Sequence, residues 1–273
     1  MKSIVATTVV CVLAYAGIAH AQESGGAPEP ANESSLPSLS QPAGPPPTPA
    51  HTGIRAMVKS IGRDFVHLPS KENLFWAVGG GAGALAAHQA DQYVSDHVGG
   101  NATADAFFLP GRVIGIVVPI GGSVATYAWG RLRDQPRVSH VGSDLIESQV
   151  VAQALTLALK YTTQRERPDQ STSDSFPSGH AASTFAFATA LERHLGWKYA
   201  VPAFAGASYV AASRLPANRH WFSDVVFGAT VGIIAGRTVT SQEVQPYPVS
   251  VTTVPGGAMI MVAPRRFNRR PSP

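Results

Sequence analysis

Charge is scarce in this chain. Charged residues make up 14% of its 273 residues, against roughly a quarter in ordinary soluble domains. A body this poor in charge is either a compact helical core or partly in lipid. Cysteine is scarcer still: Cys11 is the only one, which excludes an intrachain disulfide framework. No Lys/Arg run and no interleaving of basic with aromatic residues occurs, so a nucleic-acid surface is not expected. The balance of 21 Lys and Arg against 17 Asp and Glu is only mildly basic. Strand-type alternation is missing before residue 249. The glycine run Gly79–Gly83 has no preceding strand and no following Gly-Lys-Ser/Thr, so it reads as close helix packing rather than a phosphate loop.

What is present begins with a secretory pattern. Lys2 supplies a positive start, Ile4 to Ile18 an apolar stretch, and Ala19-His20-Ala21 a small-residue cleavage site. A signal peptide over 1–21 and export to the cell envelope are the expectations. Residues 22–53 form a Pro-rich linker: eight prolines fall between 22 and 50, with few large apolar residues to order them. The pattern changes at Ile54. Residues 54–66 form an amphipathic basic helix, and apolar helical stretches follow near 73–90, 111–130, 144–161, 179–195, 198–213 and 223–240. These predict an all-α domain over 54–240, a bundle of about six core helices. In the tail, 241–273, residues 249–254 and 258–262 flank Pro255-Gly256-Gly257 as a small hairpin.

Polar clusters are the informative ones in such a chain, because burying polar groups unpaired is costly. Lys160 and Arg167-Pro168 end one helix. Arg167 offers a planar fork for two phosphate oxygens and Lys160 a point charge, although basic residues there also complement a helix dipole. Pro177-Ser178-Gly179-His180 runs straight into a helix. Ser178 and Gly179 read equally as a simple N-cap or as an anion site beside His180. Arg214 precedes His220, and His220 and Asp224 stand four apart, on one face of a helix start. An aspartate there can hold one imidazole nitrogen protonated and leave the other free to attack. Three cations, a helix N-terminus and two histidines are what phosphoryl transfer asks for. No metal-ligand constellation accompanies them, and no cofactor is expected.

Lys160-x6-Arg167-Pro168, Pro177-Ser178-Gly179-His180 and Ser213-Arg214-x5-His220-x3-Asp224 together resemble the three-part signature of the type 2 phosphatidic acid phosphatase (PAP2) superfamily. That family includes lipid phosphatases, soluble acid phosphatases and vanadium haloperoxidases. The resemblance spans about 140–240 and implies an active site at one end of a helical bundle. It implies His220 as nucleophile, Asp224 as its orienting partner, and His180 as acid and then base. Lys160, Arg167, Ser178, Gly179 and Arg214 would cradle the phosphoryl group. The expected function is a metal-independent phosphatase acting on a lipid phosphate or lipid-linked pyrophosphate, through a phosphohistidine. A small-molecule acid phosphatase is the alternative, followed by a haloperoxidase and a non-catalytic anion-binding envelope protein.

The remaining polar residues read as background. His67, His88, His97, His140 and His194 lack partners at useful spacing, and Asp91, Asp96 and Asp105 read as a solvated acidic loop. Trp221 and Phe222 read as packing residues. Only 111–130 approaches the length of about 20 apolar residues that a membrane span needs, which favours a periplasmic helical domain resting on the membrane. The expected partners are a phosphorylated substrate and a membrane surface.

Overall fold

The computed structural model describes residues 52–241 and the backbone of 249–254 and 257–262. The expected signal peptide, most of the linker and most of the tail lie outside the described residues. The fold is all-α. Helices α1 (Ile54–His67), α2 (Lys71–His88) and α3 (Asp91–Val98) come first. They are followed by α4 (Ala102–Ile116), a π-helical turn Val117–Gly121 and α5 (Gly122–Leu132). The long α6 (Pro136–Thr163) leads to α7 (Gly179–Leu195), α8 (Trp197–Ala212) and α9 (Phe222–Ser241). Strands β1 (Val249–Val254) and β2 (Gly257–Val262) pair antiparallel as the hairpin expected in the tail.

Local chemistry sets the ends. Ser70 caps α2 by accepting the Asn73 N–H at 3.1 Å, and Asn101 caps α4 by accepting from Thr103 and Ala104. Pro136 opens α6, where its missing N–H would be unpaired anyway. The expected break over 132–139 therefore shrinks to three residues. Pro110, just before the stretch expected as one helix from 111 to 130, and Pro119 within it remove two backbone donors, and the chain passes through the π turn between α4 and α5. Gln164 ends α6 in the left-handed region, with φ 44°.

Helix α9 packs against α7, α6 and α2. Its Gly228, Gly232 and Gly236 recur every four residues and present bare backbone to α7. A methyl group on Gly232 would stand 2.4 Å from the Ala182 carbonyl oxygen. On another face of α9, one on Gly80 of α2 would collide with Thr230.

The interior is made of small side chains: Ala181, Ala182, Ala186, Ala190, Ala207 and Ala235 are buried. The large ones point out. Leu74, Phe75 and Leu85 of α2, Phe107 and Val113 of α4, and Trp197 of α8 are each more than 60% exposed. Helix α1 is inverted in the same sense. Ile54, Val58 and Val66 are exposed, whereas Asp64 is buried. Two helical stretches, Ala102–Leu132 and Phe222–Ser241, are long and apolar enough to cross a membrane; the first is mostly exposed and the second mostly buried.

Candidate active site

The residues singled out in the three clusters gather where the end of α6, the start of α7 and the start of α9 meet. The loop between α6 and α7 is docked onto α9 by its backbone: the Ser178 N–H donates to the Asp224 carbonyl at 3.0 Å. Ser178 occupies the N-cap position of α7, yet its hydroxyl caps nothing. It is fully buried, and its Oγ has no hydrogen-bond partner among the described residues. The same is true of the Arg167 and Arg214 Nε atoms. Buried donors left unpaired are expensive, and here three of them belong to residues expected to cradle a phosphoryl group. Lys160 and Arg167 meet Asp174 of the intervening loop. Arg167 contacts both Asp174 carboxylate oxygens, at 2.9 and 3.1 Å, and Lys160 Nζ stands 3.6 Å from one of them.

His220 sits just before α9 rather than on it, 5% exposed. Its Nδ1 lies 2.6 Å from the Ser175 carbonyl oxygen. A carbonyl only accepts, so Nδ1 carries the proton and the Nε2 lone pair is free. Asp224 Oδ2 is 3.9 Å from Nδ1, beyond hydrogen-bond reach. The direct partner of the ring is thus the Ser175 carbonyl, and the carboxylate lies one layer behind. Asp224 is fully buried, and its Oδ2 accepts from the Ser175 hydroxyl and from the Trp221 N–H at 2.9 Å. Burial, together with the charges of Lys160 and Arg214, pushes the His220 imidazole well below its ordinary pKa, so the ring is neutral at pH 7. Burial, Arg214 and Lys160 likewise lower His180 to about 4, against a hydrogen bond to the Arg112 backbone. Helix α4 approaches closely here: a methyl group on Gly115 would stand 2.8 Å from the His180 ring. Burial and the Arg112 and Arg167 charges lower Arg214 to about 10, which leaves it cationic at neutral pH.

Several residues read as background have defined partners. Asp91 is not in a solvated loop; it is 4% exposed at the start of α3. Its Oδ2 accepts from Arg165 at 2.7 Å and from the His88 Nδ1–H at 2.7 Å. Asp105 pairs with Arg112, and His194 Nε2 is 2.9 Å from Asp144. His67 and His97 bond to the Arg63 and Tyr93 carbonyl oxygens, and His140 Nδ1 is 3.1 Å from the Thr52 hydroxyl. Asp96 accepts from the Gln92 amide. Trp221 also bonds through its indole N–H, to the Glu166 carbonyl at 2.8 Å. Arg165 reaches Asp224 Oδ1 at 2.7 Å, although sequence reading passed over it in favour of Arg167.

Residues 142–246 match the model of the PAP2 superfamily. A lipid A 1-phosphatase of Porphyromonas gingivalis is 42% identical over 99 residues, covering 32% of this chain and 22% of that protein. The chain therefore spans about a fifth of the length of the curated relative it matches. The crystal structure of Aquifex aeolicus LpxE superposes with a TM-score of 0.47 at 21% identity, over 56% of this chain and 93% of that one. The matched stretch, residues 142–246, carries every residue of the three clusters.

Proposed function

We propose that the protein is a phosphatase that cleaves a phosphate monoester from a lipid through a phosphohistidine on His220. The observation that carries this is the set of buried, unpaired donors (Ser178 Oγ, Arg167 Nε and Arg214 Nε) beside a neutral imidazole whose free lone pair is Nε2. The chemistry runs in two displacements. His220 Nε2 attacks phosphorus, the bond to the leaving oxygen breaks, and His180 in its protonated form gives that oxygen its proton. His180, now neutral, takes a proton from water; the hydroxide attacks phosphorus, the phosphorus–nitrogen bond breaks and phosphate leaves. Lys160, Arg167 and Arg214, with the Ser178 hydroxyl and the Gly179 N–H, stabilise the equatorial oxygens throughout. Those cations supply the charge that a metal ion supplies in other phosphatases, so turnover should persist in EDTA.

The lipid assignment rests on the outer surface. Large apolar side chains of α2, α4, α5 and α8 face outward while the interior is built of alanine and glycine, as expected where the surroundings are hydrocarbon. Helix α1 carries Arg55, Lys59 and Arg63 beside its exposed apolar face, the pattern of a helix lying in an anionic interface. The Porphyromonas relative is named for a lipid phosphatase activity, which favours a lipid phosphate over a small soluble ester here. Export places the site on the periplasmic side in this reading. The test is hydrolysis of a panel of phosphatidate, phosphatidylglycerol phosphate, lipid A, a polyprenyl pyrophosphate and an aryl phosphate by the wild type and His220→Ala. Lipid esters should be preferred, and His220→Ala should lose both turnover and covalent label. A phosphohistidine retained by that variant would refute the assignment.

A further inference from the structure

Asp224 is the most deeply buried charge of the site, and its setting extends beyond Ser175 and Trp221. Arg165 Nη1 donates to Asp224 Oδ1 at 2.7 Å and to the Ser223 hydroxyl at 2.8 Å, while its Nη2 donates to Asp91 Oδ2 at 2.7 Å. Asp91 completes the frame. Its Oδ1 accepts the Ser223 N–H at 2.8 Å and its Oδ2 the Ser223 hydroxyl at 2.6 Å. A carboxylate from α3 thus caps the first turn of α9 from outside, and the guanidinium ties that cap to the carboxylate behind His220. Burial works against the charge on Asp91, but bonds from Ser223, Arg165 and His88 more than offset it, holding the carboxyl below its ordinary value. The Arg165 guanidinium also lies over the Trp221 ring, 5.4 Å from its centre, so the residue following His220 is held by the same group.

We infer that Arg165 and Asp91 are positioning residues that hold Asp224 and the His220 turn in register for attack on phosphorus, an inference that rests on the phosphatase reading above. The bonds explain why. Both Asp224 oxygens are held, one by Arg165 and one by Ser175 and Trp221, so the carboxylate cannot rotate as charge develops on the imidazole 3.9 Å away. The planar fork of arginine serves Asp91 and Asp224 together; a lysine is a single point charge and cannot span both with the same geometry. Asp91 lies outside the stretch that matches the family, so part of the support for the reacting groups comes from the start of α3.

The test uses the full chain in detergent or vesicles with Arg165→Met, Arg165→Lys, Asp91→Asn and the double variant Asp91→Asn/Arg165→Met. A control, Glu72→Gln, breaks the Glu72–Arg237 pair that ties α2 to α9 away from the site. Misalignment on the scale of an ångström lowers kcat strongly and binding little. Arg165→Met should therefore lose about 30-fold in kcat with KM within about threefold. Its affinity for vanadate, which adopts the geometry of the transition state, should fall by a similar factor while that for inorganic phosphate holds. Arg165→Lys should recover part of kcat, Asp91→Asn should lose about fivefold, and Glu72→Gln should match the wild type. The double variant removes both charges and should still fold, with kcat no better than Arg165→Met. Wild-type kcat and vanadate affinity in Arg165→Met would overturn the inference and leave the phosphatase reading standing. Equal losses of phosphate and vanadate affinity would also overturn it, by making Arg165 a binding group. A wild type that binds neither phosphate nor vanadate would bring down the phosphatase reading, and this inference with it.

Discussion

Replacing Gly228 by alanine should reduce activity far more than stability, and the structure sets both magnitudes. The added methyl carbon would lie 2.5 Å from the Ser178 carbonyl oxygen, 3.1 Å from Ala181 Cβ and 3.2 Å from Ser178 Cβ. Ordinary contact begins near about 3.4 Å, so the Ser178 turn and α9 must separate by roughly 0.9 Å. That turn carries the hydroxyl, the N–H and the histidine of the proposed site, and its backbone is bonded to Asp224. A displacement close to 1 Å at reacting groups lowers turnover by about 100-fold. Stability changes less: overpacking costs about 1–3 kcal/mol, and the gain in helix propensity from glycine to alanine offsets about 1 kcal/mol of it. The assay is kcat on a phosphate ester beside thermal unfolding, with Gly79→Ala, whose methyl group would meet nothing within 4 Å, as the neutral comparison. A Gly228→Ala protein with kcat within threefold of wild type would refute the claim that the α7–α9 contact sets the geometry of the site.

Other outcomes follow from the same geometry. Burial, Arg214 and Lys160 hold His180 down at about 4. A dianion that carries no proton of its own at pH 6.5, such as sulfate, offsets the field of those cations and raises that pKa, so its binding should be accompanied by proton uptake. Calorimetry in buffers of different ionisation heats reads this directly, and binding without proton uptake would remove His180 as the acid. His180→Ala should still accept label on His220 but release it about 10² to 10⁴ times more slowly; rapid release in a chase experiment would contradict the assigned role. Given the exposed apolar faces of α2, α4 and α8, the protein should stay with the membrane pellet after carbonate washing, and full release would refute insertion of those faces into hydrocarbon.

The parts of the site visible in the sequence are those written in residue types at short spacing. His220 and Asp224, the Pro177–His180 turn, and Lys160 with Arg167 each lie within a few positions of one another, and helix periodicity places them on common ends. The Ser175 carbonyl that holds His220 was invisible because every residue has one. Asp91 was misread because its partner Ser223 is 132 positions away, and an acidic residue near other acidic residues looks solvated until tertiary packing buries it. Arg165 lay in plain view, two residues before Arg167, but nothing local distinguishes an arginine aimed at phosphate from one aimed inward at two carboxylates. The helical fold was legible from apolar periodicity, and the abundance of alanine and glycine foreshadowed the tight α7–α9 contact. The π turn was not: the apolar pattern runs unbroken through 111–130, and nothing in it says how the chain absorbs the missing donor of Pro119.

The peptide oxygen that holds His220 has a consequence for inheritance. Substitution at position 175 can erase the hydroxyl that bonds Asp224, but any amino acid there still brings a carbonyl to Nδ1. In the proposed mechanism, the regiochemistry of the nitrogen–phosphorus bond, at Nε2 and not at Nδ1, is therefore carried by the path of the main chain. Mutational drift can slow such an enzyme at this position without ever changing which phosphohistidine isomer it makes.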